Sequence, residues 1–160
     1  MKRAGLFTII LFLTAIIYSS CKEDVYMDWK LRNDRWYATL EDSIKKDTSG
    51  IFHKTTSGIY YKVIGQGYQR HPNLQDEIYV KYKGTLIDGS IFDSTETDKM
   101  AKMTLSQTIA GWKEILPKMQ DNAHYILYIP SKLGYDTTTT YSKIPPYSVL
   151  KFDLTLEKSY

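Results

Sequence analysis

Three histidines and one cysteine are the residues best suited to metal binding or acid–base work, and their spacing suits neither. His53, His71 and His124 stand far apart, without the HxxxH or HExxH spacing that puts two imidazoles on one helix face. Cys21 is the sole cysteine, which excludes an intramolecular disulfide, a CxxC redox pair and a cysteine cage for zinc. There is no GxSxG nucleophile elbow and no GxxxxGK[ST] phosphate loop. Gly65-Gln66-Gly67 lacks the third glycine and the following helix of a dinucleotide fingerprint. Neither cofactor nor metal is implied. What stands out instead is a set of aromatic and aliphatic residues with ordered turns between them, 14% of the chain being aromatic and fourteen residues tyrosine.

The elements that must position such residues follow from periodicity. With 160 residues, 42% of them apolar, the chain can bury the core of one ordinary domain and excludes a multidomain machine. Ile78, Val80, Tyr82, Gly84 and Leu86 alternate with Tyr79, Lys81, Lys83 and Thr85, and Leu150, Phe152, Leu154 and Leu156 with Val149, Lys151, Asp153 and Thr155. These are half-buried strands. Tyr125, Leu127 and Ile129 mark another, and Ser57 to Ile64 a first one. Asp88-Gly89 between apolar runs signals a hairpin turn. Ile109, Trp112, Leu116 and Met119 recur at helical spacing, with Pro117 limiting the helix to a few turns and Asn122 suited to a left-handed position beyond it. The expected fold class is α+β, a twisted antiparallel sheet packed on one short helix. Upstream, Trp29, Trp36, Tyr37, Leu40 and Ile44 share one helical face within Val25 to Lys46. That amphipathic helix has two readings, a cap on the main domain or a self-association surface. Asp47 to Gly50 reads as a linker, and Thr137 to Thr140 as a solvated loop.

Lys2 and Arg3 precede a 12-residue apolar run from Leu6 to Ile17, then Ser19-Ser20 and Cys21. The run is shorter than the ~20 residues that span a bilayer as a helix, and the layout is that of a secretory signal. Cys21 after two small residues resembles the bacterial lipobox, which implies acylation of this thiol, cleavage before it and a lipid anchor in a membrane. Tyr18 departs from the usual aliphatic residue of that motif, and an ordinary secreted protein with one free thiol is the alternative. Lys22-Glu23-Asp24 resembles the acidic signal that sends Bacteroidetes lipoproteins to the cell surface, with a solvated linker as the plain alternative. The organisation expected is a signal peptide over 1–20, the lipidated cysteine, helix and linker over 21–50, and a folded domain over 51–160. The formal charge of +3 falls to +1 once Lys2 and Arg3 are removed, because residues 1–20 hold no acid. A nucleic-acid partner held by charge is not expected.

The run VKYKGTLIDGSIFDS from Val80 to Ser94 resembles the FKBP family of peptidyl-prolyl isomerases. Downstream, IAGW ending at Trp112, IPSKLGY ending at Tyr135 and IPPYSVLKFDL from Ile144 to Leu154 resemble further family motifs in the same order, and SGIYYKVIGQG from Ser57 resembles the opening strand. The likeness covers about residues 57–158. It implies an FKBP-like sheet wrapped around the short helix and a proline pocket floored by Trp112. Its walls would be Tyr82, Phe92, Ile109, Tyr135, Ile144 and Phe152, with Thr108 in a pocket-lining position and Asp93 at the rim. Ordinary core packing is the alternative for each ring. An acid beside a core Phe needs a hydrogen-bond partner, and Tyr82 is the one expected for Asp93.

The implied partners are proline-containing polypeptides, with macrolide inhibitors as further ligands, and the implied task is to assist exported proteins. The chain departs from the family pattern at Thr108 and Lys143, where apolar residues are usual, and at Asp136, where Gly is common. The segment from Leu105 to Trp112 is about two residues short. These changes sit at the pocket mouth and bear on substrate preference and macrolide binding first. A non-catalytic chaperone or partner-binding module on the same fold is the competing reading, and a glycan or adhesion lipoprotein a third.

Overall fold

The computed structural model of the protein describes residues 26–160; the leader, Cys21 and the Lys22 to Asp24 run lie outside the described residues. The expected alternations become the long strands. They are β3 (Glu77–Thr85), β6 (Ala123–Ile129) and β7 (Leu150–Ser159), each with every second side chain buried along most of its length. β2 (Tyr60–Gly65) overlaps the expected first strand, starting three residues later and ending one residue beyond it. Three short strands complete the sheet: β1 (Phe52–Lys54), β4 (Ile91–Ser94) and β5 (Ala101–Thr104). All pairings are antiparallel, in the order β1-β2-β6-β7-β3-β4, with β5 sharing the outer edge of β3. The fold class is α+β, as the alternation and the single central helix predict.

That helix is shorter than its apolar spacing suggests. α2 spans Ala110–Ile115, and Leu116–Lys118 continue as a 3-10 turn. Pro117 has no N–H for the helical ladder, so the chain tightens and leaves the helix there. Leu116 and Met119 stay fully buried all the same, because the tighter turn still points them into the core. Asn122 takes the left-handed conformation expected of it, φ 64°. At the hairpin, Gly89 N–H bonds to Leu86 O, and Asp88 Oδ1 accepts from both the backbone N–H and the hydroxyl of Ser90.

α1 (residues 26–45) lies along the strand ends. Its successive turns meet successive partners. Trp29 Nε1 donates to Ser148 Oγ at 2.9 Å, Asn33 Oδ1 accepts from Val149 N at 2.8 Å, and the Trp36 ring sits 6.1 Å from that of Tyr128. The Tyr37 ring lies 5.4 Å from Tyr60 while its hydroxyl donates to Gly58 O, and Glu41 pairs with Lys54 on β1 at 2.8 Å. The cap reading of this helix therefore describes its placement. The most buried residue on its docked face is Asn33, at 0% exposure, which apolar spacing does not mark. Among the described residues no helix is long and apolar enough to cross a membrane, and no cluster of three His, Cys, Asp or Glu could hold a metal.

Candidate functional site

A cleft of about 370 Å³ opens where β3, β4, β5, α2 and β7 converge. Four rings from four different elements form its floor. Trp112 (α2) meets Tyr82 (β3) edge to face at 5.2 Å and 86°, and Phe152 (β7) at 5.2 Å and 72°. Phe92 (β4) meets Phe152 at 5.5 Å and 89°. Near-perpendicular contacts set the positive ring edge of one aromatic on the negative face of the next, and each such pair adds ~0.5–1.5 kcal/mol beyond burial. Phe92 reaches this position because its ring lies over Gly84, which pairs with Asp93 beside a bulge in the β3–β4 ladder. A Cβ on Gly84 would lie 2.4 Å from the Phe92 ring, so the strand must be bare at that point.

Asp93 sits at the exposed rim, and its carboxylate accepts from the Tyr82 hydroxyl at 2.5 Å and from Ser94 N at 2.9 Å. The expected Tyr82–Asp93 pairing is present. Burial, reinforced by that bond to a carboxylate, pushes the Tyr82 hydroxyl well above the ordinary tyrosine value. Burial likewise raises Tyr135, with Tyr141 and Asp93 adding to it. Both hydroxyls therefore keep their protons at neutral pH. The buried Trp112 Nε1 has no acceptor among the described residues. Such an orphan donor is costly in a core, and functional sites are where that cost is commonly carried.

Eight of the nine residues named from the sequence for the pocket line this one cleft: Tyr82, Phe92, Asp93, Thr108, Ile109, Trp112, Tyr135 and Phe152. Thr108 follows the 3-10 turn Leu105–Gln107, to which its hydroxyl bonds back at Leu105 O, 2.8 Å. Ile109 is the extended residue that opens α2, not part of the helix. The ninth, Ile144, lies elsewhere. It lines an adjoining hollow of about 320 Å³ with Lys143, Ser142 and Thr140, and Phe92, Asp93, Tyr135 and Tyr141 line both spaces. Ile144 is itself buried, and the two spaces adjoin through the four residues they share. Three lining residues were not foreseen: Met103, Gln107 and Tyr141. Met103 sits on a strand too short to show alternation. Tyr141, whose ring lies 4.5 Å from Tyr135, had one available signal, an aromatic in an otherwise polar loop.

The description FKBP-type peptidyl-prolyl cis-trans isomerase matches residues 68–157 of the chain, more than half its length. The chain belongs to the FKBP family. Over 132 residues it is 36% identical to the probable FKBP-type peptidyl-prolyl cis-trans isomerase FkpA of Neisseria meningitidis, a match taking in 82% of this chain and 47% of that protein. Over 97 residues it is 39% identical to the outer membrane protein MIP of Legionella longbeachae, covering 60% of this chain and 42% of the other. The crystal structure of FkpA from Escherichia coli superposes with a TM-score of 0.80 at 27% identity, over 99% of this chain and 73% of that one. The chain spans about half the length of the curated relatives it matches.

Proposed function

We propose that this FKBP-family chain is a peptidyl-prolyl cis-trans isomerase that binds proline in the ring-floored cleft and speeds rotation about the preceding peptide bond. The observation that carries this reading is the cleft itself: four interlocked rings beneath an opening whose rim holds one oriented hydroxyl–carboxylate pair.

The reaction asks for no base and no nucleophile. Rotating an X-Pro bond breaks amide resonance against a barrier near ~18–20 kcal/mol, and no covalent bond is made or lost. In the planar amide, resonance places partial charge on oxygen and nitrogen that water solvates well, whereas the twisted amide is less charge-separated. A dry aromatic cleft therefore disfavours the planar form relative to the twisted one. Fixed dipoles such as the Tyr82–Asp93 pair add an environment that need not reorganise during the twist. The Tyr135 hydroxyl supplies a donor for the substrate carbonyl, worth ~1 kcal/mol net.

The proposed organisation is a signal peptide over 1–20, an acylated Cys21 with helix and linker over 21–50, and the isomerase domain over 51–160. The leader supports export, and a relative named for the outer membrane supports an envelope address for a lipid-anchored protein. There, prolyl isomerisation, uncatalysed over tens to hundreds of seconds, limits the folding of exported proteins. The N-terminal peptide's mass tests the anchor: a diacylglyceryl-modified Cys21 is expected, and an unmodified thiol or retained Met1 contradicts it.

A protease-coupled assay on a short X-Pro peptide tests the activity. The purified protein should accelerate the slow phase, and Phe92→Ala, with native circular dichroism, should lose at least about tenfold in kcat/KM, equal to 1.36 kcal/mol of barrier. Binding of the peptide without acceleration would assign the cleft to the non-catalytic chaperone reading.

A further inference from the structure

The loop 136–147 carries Tyr141 on the central cleft and Lys143 and Ile144 on the adjoining hollow. Its two ends are tied together by Tyr147 N–H donating to Asp136 O at 2.6 Å. Both end residues adopt left-handed backbone, φ 46° at Asp136 and 65° at Tyr147. Asp tolerates that conformation, but a side chain as bulky as Tyr147 is strained in it and persists only where its surroundings over-determine it. Those surroundings come from α1. Trp29 Nε1 donates to Ser148 Oγ at 2.9 Å, and that hydroxyl donates onward to Pro145 O at 2.6 Å. Asn33 Oδ1 accepts the N–H of Val149 at 2.8 Å, while Asn33 Nδ2 donates to Trp29 O at 2.9 Å, locking the amide's orientation. Lys30 lies 5.9 Å from the Tyr147 ring centroid. Asn33 is 0% and Ser148 3% exposed, so these bonds form a dry, fully paired network, and such networks fix one geometry rather than merely adding adhesion. Farther along, the same helix meets the sheet by ring packing through Trp36 and Tyr37. Its later turns also use the Tyr37 hydroxyl on Gly58 O and Glu41 on Lys54, but those groups reach β1 and the turn before β2, whereas the first turns reach the stem of this loop.

We propose that Asn33 and Trp29 are positioning residues of the peptide-binding cleft: α1 holds the stem of loop 136–147 and thereby sets where Tyr141 and Ile144 stand at the mouth. This rests on the isomerase reading for its kinetic consequence and on geometry alone for its structural one.

The test joins peptide kinetics to amide exchange in the purified protein and two variants. Asn33→Leu removes the acceptor for Val149, and Trp29→Phe keeps a ring but removes the donor to Ser148. In Asn33→Leu, exchange at Val149 should rise by about tenfold or more, while the ladder amides of Leu127 and Leu154 keep the parent rate. In both variants KM for an X-Pro peptide should rise about three- to tenfold with kcat changed by less than about twofold, because the floor is untouched. Unchanged exchange at Val149, or ladder amides that speed up by the same factor, would overturn the clamp, as would unchanged KM in both variants. If the parent protein accelerates nothing, the isomerase reading fails, and exchange alone then decides: faster exchange confined to the loop stem upholds the clamp, and its absence removes it.

Discussion

The floor of the cleft and its mouth are built by opposite means. The floor takes one ring each from α2, β3, β4 and β7, elements locked by ladder hydrogen bonds and close packing, and its lower rings are almost fully buried. The mouth is a loop in which exposed Tyr141, Ser142 and Lys143 hang between two left-handed residues and are tied to a helix more than a hundred positions away in sequence. The floor's geometry is set by the sheet and, in the proposed function, serves the twist of the amide. The mouth's geometry, in the proposed clamp, is borrowed from α1 and serves selection of the chain that carries the proline. Of the departures from the family pattern, Thr108 lines the central cleft, Lys143 lines the adjoining hollow and Asp136 opens the mouth loop, and the floor rings stay in place.

The heaviest blow to the floor is Trp112→Ala, which removes the ring touching both Tyr82 and Phe152. It should cost about 3–5 kcal/mol of stability in a denaturant titration and abolish measurable acceleration. Gly84→Ala tests the same region from beneath. Its methyl would meet the Phe92 ring, so a loss of about 1–3 kcal/mol and a displaced Phe92 resonance are expected, and a neutral result would show that the ring has room to move.

A pH titration separates floor from mouth more finely. The folded protein holds the Tyr82 and Tyr135 protons more tightly than the unfolded chain, whose tyrosines titrate near 10.0. Their contribution is therefore intact below the unfolded value and is lost as pH climbs from there toward the folded values. Stability should fall above about pH 10, less steeply in Tyr82→Phe, while activity stays level from about pH 6 to 9. An activity step inside that interval would implicate another group. Tyr82→Phe itself should cost about 1 kcal/mol by removing one of the two donors to Asp93, Ser94 N–H remaining. Smallest of all is Lys143→Glu at the exposed mouth. The parent should favour Glu-Pro over Lys-Pro peptides by about two- to fivefold, the variant should reverse the preference, and both effects should fade in high salt.

Much of this division was legible in the sequence, and the reasons are physical. Strands β3, β6 and β7 run for seven to ten residues, long enough for alternation to declare itself, whereas β1 and β5, of three and four residues, show none. α2 was over-extended because Leu116 and Met119 keep their helical spacing after Pro117 has turned the chain into a 3-10 path. Most of the floor was readable because its rings lie inside collinear motifs on regular elements. The mouth was not. Ile144 lines the adjoining hollow, Tyr141 stands in a loop without periodicity, and Asn33 lies outside the apolar set Trp29, Trp36, Tyr37, Leu40 and Ile44. Its worth depends on the backbone N–H of Val149, which no local pattern records.

The most direct measurement is NMR exchange spectroscopy on an X-Pro peptide with a catalytic amount of the purified protein. Cross-peaks between cis and trans proline should appear at rates far above the uncatalysed exchange, and should vanish with Trp112→Ala at equal concentration when that variant retains its sheet resonances. Exchange that stays at the uncatalysed rate while the peptide binds would contradict the account.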